Sequence, residues 1–160
     1  MIATARSVDH FGVVVPDRDS AVAFFTDVLG GVMTYRTDWF DSGLGHRQRL
    51  AMLRLGSRTN VELIEYKGAV SRAPSLTDVG CSHLALYVDD VRTALAQVRD
   101  LGLWCGGLGH PVGQPMEGET FAYFASPWGA YFELRSYPTG LRYERETMLR
   151  LVPPTASWEG

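Results

Sequence analysis

Two segments of the sequence occur twice, and each copy contains one histidine and one glutamate. The segment Asp-His-Phe-Gly-Val-Val-Val around His10 resembles Ser-His-Leu-Ala-Leu-Tyr-Val around His83, which lies 73 residues later. The segment Val-Glu-Leu-Ile-Glu-Tyr around Glu62 resembles Phe-Glu-Leu-Arg-Ser-Tyr around Glu133, 71 residues later. Self-similarity at a nearly fixed offset indicates repeated structural units. We therefore expect these four residues to occupy equivalent places in two units and to form one site where the units meet.

Two imidazoles and two carboxylates form a suitable ligand set for one divalent metal ion. Nitrogen and oxygen donors of this kind bind Zn, Mn, Co, Ni or Fe, and the set alone does not choose among them. Four protein ligands leave two positions of an octahedron for substrate oxygens. A carbonyl bound there would be polarised, so that a proton on the adjacent carbon becomes acidic. The sequence therefore predicts four metal ligands and no other cofactor: His10, Glu62, His83 and Glu133.

The two glutamates are also the candidate catalytic residues. A carboxylate close to the activated carbon can act as general base, while the metal stabilises the enolate or enediolate that forms. Glu62 or Glu133 could take the proton, and the sequence leaves open which one does.

Local patterns predict the same elements in both copies. In the first copy, residues 8–15 alternate as in a strand, Asp17 and Asp19 are candidate helix N-caps, and Gly30 with Gly31 ends the helix. Three further strands are expected at residues 32–36, 49–55 and 60–66, with a turn at 56–59. The first unit is therefore read as βαβββ.

The second copy repeats this order. Leu84 and Leu86 form one face of the first strand, Asp90 can cap a helix over residues 91–101, and Gly102 ends it. Strands are expected at residues 121–126 and 130–137, with a weakly marked strand near 103–106. The predicted class is α+β, one domain over residues 1–160. It contains one module at about 7–67, a second at about 80–138, and a tail at 139–160 with a short helix near 143–151.

Length and charge exclude several classes of function. The chain has 160 residues and a net charge of −3, and its basic residues are not clustered, which argues against a nucleic-acid partner. No apolar run approaches a membrane span, and the first residues lack the pattern of a signal peptide. Two cysteines are no disulfide framework. We expect a cytoplasmic protein with a small-molecule substrate.

Other residues that could bind a substrate or a metal are not assigned to the site. Alternation places Tyr87, Tyr131 and Arg135 on the side of the ligands, where they could line a pocket. His46 and His110 lie in the loops predicted at 37–46 and 106–119 and are read as exposed histidines. Cys81, without a second cysteine nearby, is read as a core residue.

The motifs resemble the vicinal oxygen chelate superfamily, which includes glyoxalase I, methylmalonyl-CoA epimerase, extradiol dioxygenases, fosfomycin-modifying enzymes and bleomycin-binding proteins. The resemblance covers about residues 7–137. It rests on the two histidine segments, on Ala-Val-Ala-Phe-Phe-Thr-Asp-Val-Leu-Gly at 21–30, and on Ser-Pro-Trp-Gly-Ala-Tyr-Phe-Glu-Leu at 126–134. It implies two βαβββ modules that form a U-shaped, partly open mixed sheet around a divalent metal. It places His10, Glu62, His83 and Glu133 on the four ligand positions and implies a homodimer.

Within this superfamily, the ligand set favours a metal-dependent epimerase or isomerase. Such an enzyme would act next to a carbonyl, on a small cyclitol- or sugar-like ketone of secondary metabolism. A glyoxalase I-like lyase also fits the ligand set, although the sequence shows no clear basic cluster for glutathione. The superfamily further includes Fe- or Mn-dependent ring-cleaving dioxygenases and non-catalytic modules that bind a drug or metabolite, and the sequence leaves both functions open.

Overall fold

The fold was analysed in a computed structural model that describes residues 7–43, 45–70, 72 and 74–152. Two compact units comprise the described residues up to 70 and those from 72 onward. Each unit has a mixed sheet and a helix, which confirms the predicted α+β class. Among the described residues, no helix is long and apolar enough to cross a membrane.

The sheet of unit 1 places its first strand beside its last. The elements are β1 (Phe11–Val14), α1 (Arg18–Asp27), β2 (Val32–Arg36), β3 (Phe40–Asp41), β4 (Arg47–Leu55) and β5 (Thr59–Tyr66). The strand order is β1-β5-β4-β2, and β3 pairs with β4. Strands β1 and β5 are parallel, whereas the remaining pairs are antiparallel.

Helix α1 begins at its predicted cap and ends at Asp27, shortly before the predicted glycines. Asp17 is the N-cap, and its Oδ1 accepts a hydrogen bond of 2.8 Å from the Ser20 amide. After the helix, Gly30 adopts a positive φ of 67°, which glycine tolerates without strain. The buried face of α1 packs on the β4–β5 sheet and forms the core of unit 1: Ala21, Phe24, Phe25, Ala51, Leu53, Val61 and Leu63.

Unit 2 repeats this plan with fewer strands. Its elements are β6 (His83–Tyr87), α2 (Val91–Asp100), β7 (Thr120–Ala125), β8 (Tyr131–Ser136) and a short 3₁₀ helix (Arg142–Arg145). The strand order is β6-β8-β7, with β6 parallel to β8. Asp90 caps α2 by accepting a hydrogen bond of 2.7 Å from the Thr93 amide. The core between α2 and the sheet is formed by Val91, Leu95, Val98, Ala122, Phe124, Phe132 and Leu134.

Three local predictions were wrong. The strand expected near residues 103–106 consists only of isolated bridges from Cys105 to Phe124 and from Gly109 to Phe121, because the intervening glycines weaken strand structure. Strand β3 lies inside the loop predicted at 37–46. The tail helix expected near 143–151 is only the 3₁₀ turn, while Pro153 and Pro154 lie outside the described residues.

Candidate metal-binding site

Unit 1 brings His10 and Glu62 together across its parallel strand pair. His10 directly precedes β1, and Glu62 lies in β5 opposite Gly12. Residues two apart on a strand point to the same side, so His10 and Gly12 share the side of Glu62. The distance from His10 Nε2 to Glu62 Oε2 is 3.5 Å, with 37% of the histidine and 16% of the glutamate side chain exposed.

Unit 2 repeats this geometry with His83 and Glu133. His83 opens β6, and Glu133 lies in β8 opposite Ala85. The distance from His83 Nε2 to Glu133 Oε2 is 3.2 Å, with 38% of the histidine and 11% of the glutamate side chain exposed. In both units the residue opposite the glutamate on the parallel neighbouring strand is small, which leaves room on that side of the carboxylate.

The spacing within each pair fits two ligands of one metal ion. For metal–donor bonds of about 2.1 Å, neighbouring donor atoms are roughly 3.0–3.5 Å apart in octahedral or tetrahedral geometry. Both pairs fall in this range. Residues 7–43, 45–70, 72 and 74–152 contain no group of three or more His, Cys, Asp or Glu side chains placed to hold a metal. The structure thus brings the four predicted ligands together as two pairs.

Asp9 orients the histidine of unit 1. The Nδ1 atom of His10 lies 2.7 Å from Asp9 Oδ1. Since an ionised carboxylate can only accept a hydrogen bond, Nδ1 donates to Asp9. In the neutral ring this leaves the lone pair on Nε2, the nitrogen that lies toward Glu62. The hydrogen bond to Asp9 raises the pKa of His10, and the negative charge of Glu62 adds to this effect. Asn60 Nδ2 donates to the Asp9 carbonyl at 2.9 Å and so holds the segment in place.

Polar groups of the sheet surround the glutamate of unit 2. Tyr123 lies directly opposite Glu133 in the β7–β8 ladder. Burial raises the pKa of the Tyr123 hydroxyl, and the charge of Glu133 and its hydrogen bond with Tyr123 raise it further. The Tyr123 ring also stands edge-on to the His83 ring, with centroids 5.3 Å apart. Arg135, on the same side of β8, pairs with the buried carboxylate of Glu119.

The secondary candidates fall outside the two pairs. Tyr131 lies opposite His83 in the β6–β8 ladder, as its predicted pocket position requires. His46 contacts the Tyr66 ring, and His110 Nδ1 lies 3.2 Å from Thr120 Oγ1. Cys81, expected in the core, is only half-buried.

Sequence reasoning missed three residues beside the pairs: Asp9, Glu119 and Tyr123. Asp9 was visible as the neighbour of His10. The position of Tyr123 follows from counting outward from the turn after Ala125, since Ala125 lies opposite Tyr131. Glu119 directly precedes β7, and no local pattern indicates its ion pair with Arg135 in β8.

Two open polar cavities lie elsewhere, and none of the four predicted ligands lines them. The cavity in unit 1 has a volume of about 440 Å³ and is lined by Arg18, Asp19, Arg36, Thr37 and Asp38. The cavity in unit 2 has a volume of about 420 Å³. It lies beside the 3₁₀ helix and is lined by Glu117, Gly118, Thr139, Gly140, Leu141, Arg142, Glu144, Arg145 and Arg150.

Comparison with known proteins identifies relatives in sequence and in structure. The sequence model of the glyoxalase/bleomycin resistance protein/dioxygenase superfamily matches residues 9–123 of this chain. A 2-epi-5-epi-valiolone epimerase from Actinomyces sp. is 39% identical over 173 aligned positions, which cover 98% of this chain and 93% of that protein.

Solved structures share the fold at low sequence identity. A glyoxalase family protein from Enterococcus faecalis matches with a TM-score of 0.65 and 20% identity, covering 84% of this chain and 99% of its own. The fosfomycin resistance protein FosX from Listeria monocytogenes, in complex with Mn(II) and sulfate, matches with a TM-score of 0.58 and 15% identity. The match covers 92% of this chain and 100% of the FosX chain. These matches confirm the predicted fold family.

Proposed function

Because this chain belongs to the glyoxalase/bleomycin resistance protein/dioxygenase superfamily, we propose that it is a divalent-metal-dependent epimerase of a small cyclitol-like ketone. The observation that carries the proposal is the same His–Glu pair, at 3.5 Å and 3.2 Å, in both units. The named epimerase at 39% identity supports the reaction class and suggests a valiolone-type substrate.

In the proposed site, both pairs contribute their side chains to one cation. His10 and His83 offer neutral nitrogen donors, and Glu62 and Glu133 offer oxygen donors that offset the positive charge. FosX, which shares the fold, carries Mn(II) in its structure. When bound, the cation would polarise the substrate carbonyl and make the neighbouring C–H bond acidic.

The two glutamates have a second role in this proposal. Epimerisation removes a proton from one side of a carbon atom and returns a proton to the other side. A carboxylate within hydrogen-bond reach of that carbon can perform each transfer. Glu62 and Glu133 are the candidate groups, because each is mostly buried and lies beside a small residue of the neighbouring strand.

An uncharged substrate agrees with the charges near the unit 2 pair. Arg135 shares the side of Glu133 on β8, but its guanidinium is already paired with Glu119. Its positive charge is therefore largely neutralised and offers little attraction to a phosphate or carboxylate. A polyhydroxylated neutral ketone needs hydrogen-bond partners instead of a counter-ion.

The remaining parts of the proposal concern the state of the protein. We propose a cytoplasmic homodimer that acts on a small molecule, without nucleic-acid or membrane partners. The net charge of −3 supports the absence of a nucleic-acid partner. Strand β1 ends its sheet with Phe11 and Val14 exposed, and apolar edges of this kind favour association. Light scattering at micromolar concentration should give the mass of two chains, and a monomer would contradict the dimer.

The function is tested by metal analysis and isotope exchange on the same preparations. The parent should contain about one divalent ion per chain and convert 2-epi-5-epi-valiolone in deuterated water to an epimer that carries one deuterium at the inverted carbon. The His10→Ala, His83→Ala double variant should lose both properties. His46→Ala, which changes a histidine outside the pairs, should keep both.

Two outcomes would contradict the proposal in different ways. A parent without metal after reconstitution would remove the shared site and favour a binding module. A metal-loaded parent that consumes oxygen and produces no epimer would favour a ring-cleaving dioxygenase.

A further inference from the structure

One side chain of unit 2 contacts both members of its His–Glu pair. Tyr123 lies opposite Glu133 in the antiparallel ladder, and its hydroxyl is close enough to the Glu133 carboxylate for that carboxylate to raise the pKa of the tyrosine. Its ring meets the His83 ring edge-on, with an interplanar angle of 87°. A perpendicular arrangement at this distance is a favourable one for aromatic rings. Tyr123 therefore restricts both the carboxylate and the imidazole.

The Tyr123 ring is itself held in place by packing. The Phe121 ring stands at 78° to it, with centroids 6.0 Å apart. A Cβ atom added at Gly109 would overlap the Phe121 ring unless that ring moved, so the glycine leaves room for the ring in its present place. The backbone bridge between Gly109 and Phe121 keeps these two residues together. This contact chain leaves Tyr123 little freedom to turn away from the pair.

In unit 1 a methionine occupies the place that corresponds to this tyrosine. Met52 lies opposite Glu62 in the β4–β5 ladder, as Tyr123 lies opposite Glu133. A thioether has no hydrogen to donate to a carboxylate. In unit 1 the pair is supported instead at its histidine, because Asp9 contacts the Nδ1 atom of His10. The two pairs therefore reach similar distances through different neighbours.

We propose that Tyr123 is a positioning residue that fixes Glu133 and His83 as ligands before a metal ion binds; this rests on the proposed metal-dependent function. Ligand side chains that are already oriented lose less conformational freedom on binding. Outer partners of metal ligands typically change metal affinity by about 10- to 100-fold when removed. The Tyr123 hydroxyl has the position and the chemistry of such a partner.

The test compares Tyr123→Phe with Tyr66→Phe in the full-length, metal-free protein. The first variant removes only the hydroxyl that reaches Glu133, while the second removes a hydroxyl from a ring that contacts His46. Cobalt(II) is titrated and followed by the visible absorption of the bound ion. Tyr123→Phe should bind cobalt about 10-fold more weakly than the parent and with an altered spectrum. Tyr66→Phe should match the parent in both readouts.

A second readout needs no metal. In the metal-free protein, Tyr123→Phe should shift the side-chain NMR resonances of His83 and leave those of His10 in place. Unchanged cobalt affinity, cobalt spectrum and His83 resonances would overturn the role of Tyr123 while leaving the proposed function intact. A parent that binds no cobalt would overturn the metal-dependent function, and the positioning role with it.

Discussion

In unit 1 the glutamate of the His–Glu pair lies opposite Met52, whereas in unit 2 it lies opposite Tyr123. The histidine of unit 1 is preceded by Asp9, which accepts its Nδ1 hydrogen, whereas the histidine of unit 2 is preceded by Ser82. The donor distances nevertheless differ by only a few tenths of an ångström. Two similar pairs are thus supported by different residues.

The ion pairs next to the glutamates differ as well. In unit 2, Arg135 is two residues from Glu133 and on its side of the sheet, where it pairs with Glu119. In unit 1, Glu65 is three residues from Glu62 and therefore on the opposite side, where it pairs with Arg49. The repeat thus supplies equivalent ligands, while the surrounding charges make the two halves chemically unequal.

The largest expected effect comes from replacing each glutamate of the pairs in turn. Glu62→Gln and Glu133→Gln should each lower kcat by about 10²- to 10⁴-fold, the range of general acid–base catalysis. Glu133→Gln should retain less metal than Glu62→Gln, because it also removes the charged acceptor of Tyr123. Metal content and deuterium exchange of the two variants measure the difference. Equal metal loss would show that the two halves bind the ion alike.

The second effect compares the two ion pairs through stability. Glu119 is a buried carboxylate with only 6% of its side chain exposed, and Glu119→Gln leaves Arg135 without its partner. Loss of one partner from a buried pair costs about 3 kcal/mol. The comparison change in unit 1, Asp19→Asn, alters the most exposed of the three carboxylates that pair with Arg49, with 54% of its side chain exposed, and should cost at most about 1 kcal/mol. Urea unfolding of both variants gives the free energies, and similar losses would contradict this difference in burial.

The third comparison concerns the residues that precede the histidines. Asp9→Ala removes the acceptor of the His10 Nδ1 hydrogen and should weaken metal binding by about 10-fold. Ser82→Ala, the matched change in unit 2, should leave the affinity unchanged, because Ser82 has no carboxylate to orient His83. Calorimetric titration with one divalent ion measures both. If Ser82→Ala also lowered the metal affinity, both histidines would be oriented by the residue that precedes them.

The smallest effect is the pH dependence that the two helix caps contribute. Hydrogen bonds from Ser20 lower the pKa of Asp17, with a contribution from Arg49, and hydrogen bonds from Thr93 lower the pKa of Asp90. A lowered folded-state pKa gives stability that is present above the unfolded pKa of about 4 and is lost as the pH falls through the folded value.

Asparagine caps a helix about as well but does not titrate. Asp17→Asn should therefore reduce the acid dependence of Tm between about pH 3 and 5. Asp90→Asn should do so less, since Asp17 is in a direct ion pair with Arg49 at 3.2 Å, whereas the charge of Arg92 is a lesser cause of the lowered pKa of Asp90 than its hydrogen bonds from Thr93. Thermal unfolding of both variants between these pH values tests which cap contributes more. A larger change in the pH dependence of Tm for Asp90→Asn would contradict the prediction.

Much of the local structure could be predicted from the sequence. Alternating residues located the strands that carry Glu62 and Glu133, and Asp17 and Asp90 were identified as caps that the structure confirms. These features depend on residues close in the chain, so periodicity and capping chemistry suffice to find them. Strand β3 was missed because it has only two residues and no detectable period.

The contacts around the pairs required the three-dimensional structure. Met52 and Tyr123 face the two glutamates through the antiparallel register. Glu119, directly before β7, pairs with Arg135 in β8. A register is set by turn geometry and by irregularities such as the shift between Met33 and Tyr35 in the β2–β4 ladder. A shift of one residue moves every side chain to the opposite face of the sheet, so these neighbours are not evident from periodicity alone.

The sequence by itself determined that the chain carries two equivalent units, each with one histidine at the start of its first strand and one glutamate on its last. Only the tertiary structure decided that these residues meet as pairs at 3.5 Å and 3.2 Å, that Tyr123 supports one pair, and that Asp9 supports the second. The physical reason is the distance along the chain over which each feature is determined. A repeat and a strand period are written in neighbouring residues, whereas the distance between two side chains depends on how strands far apart in sequence align.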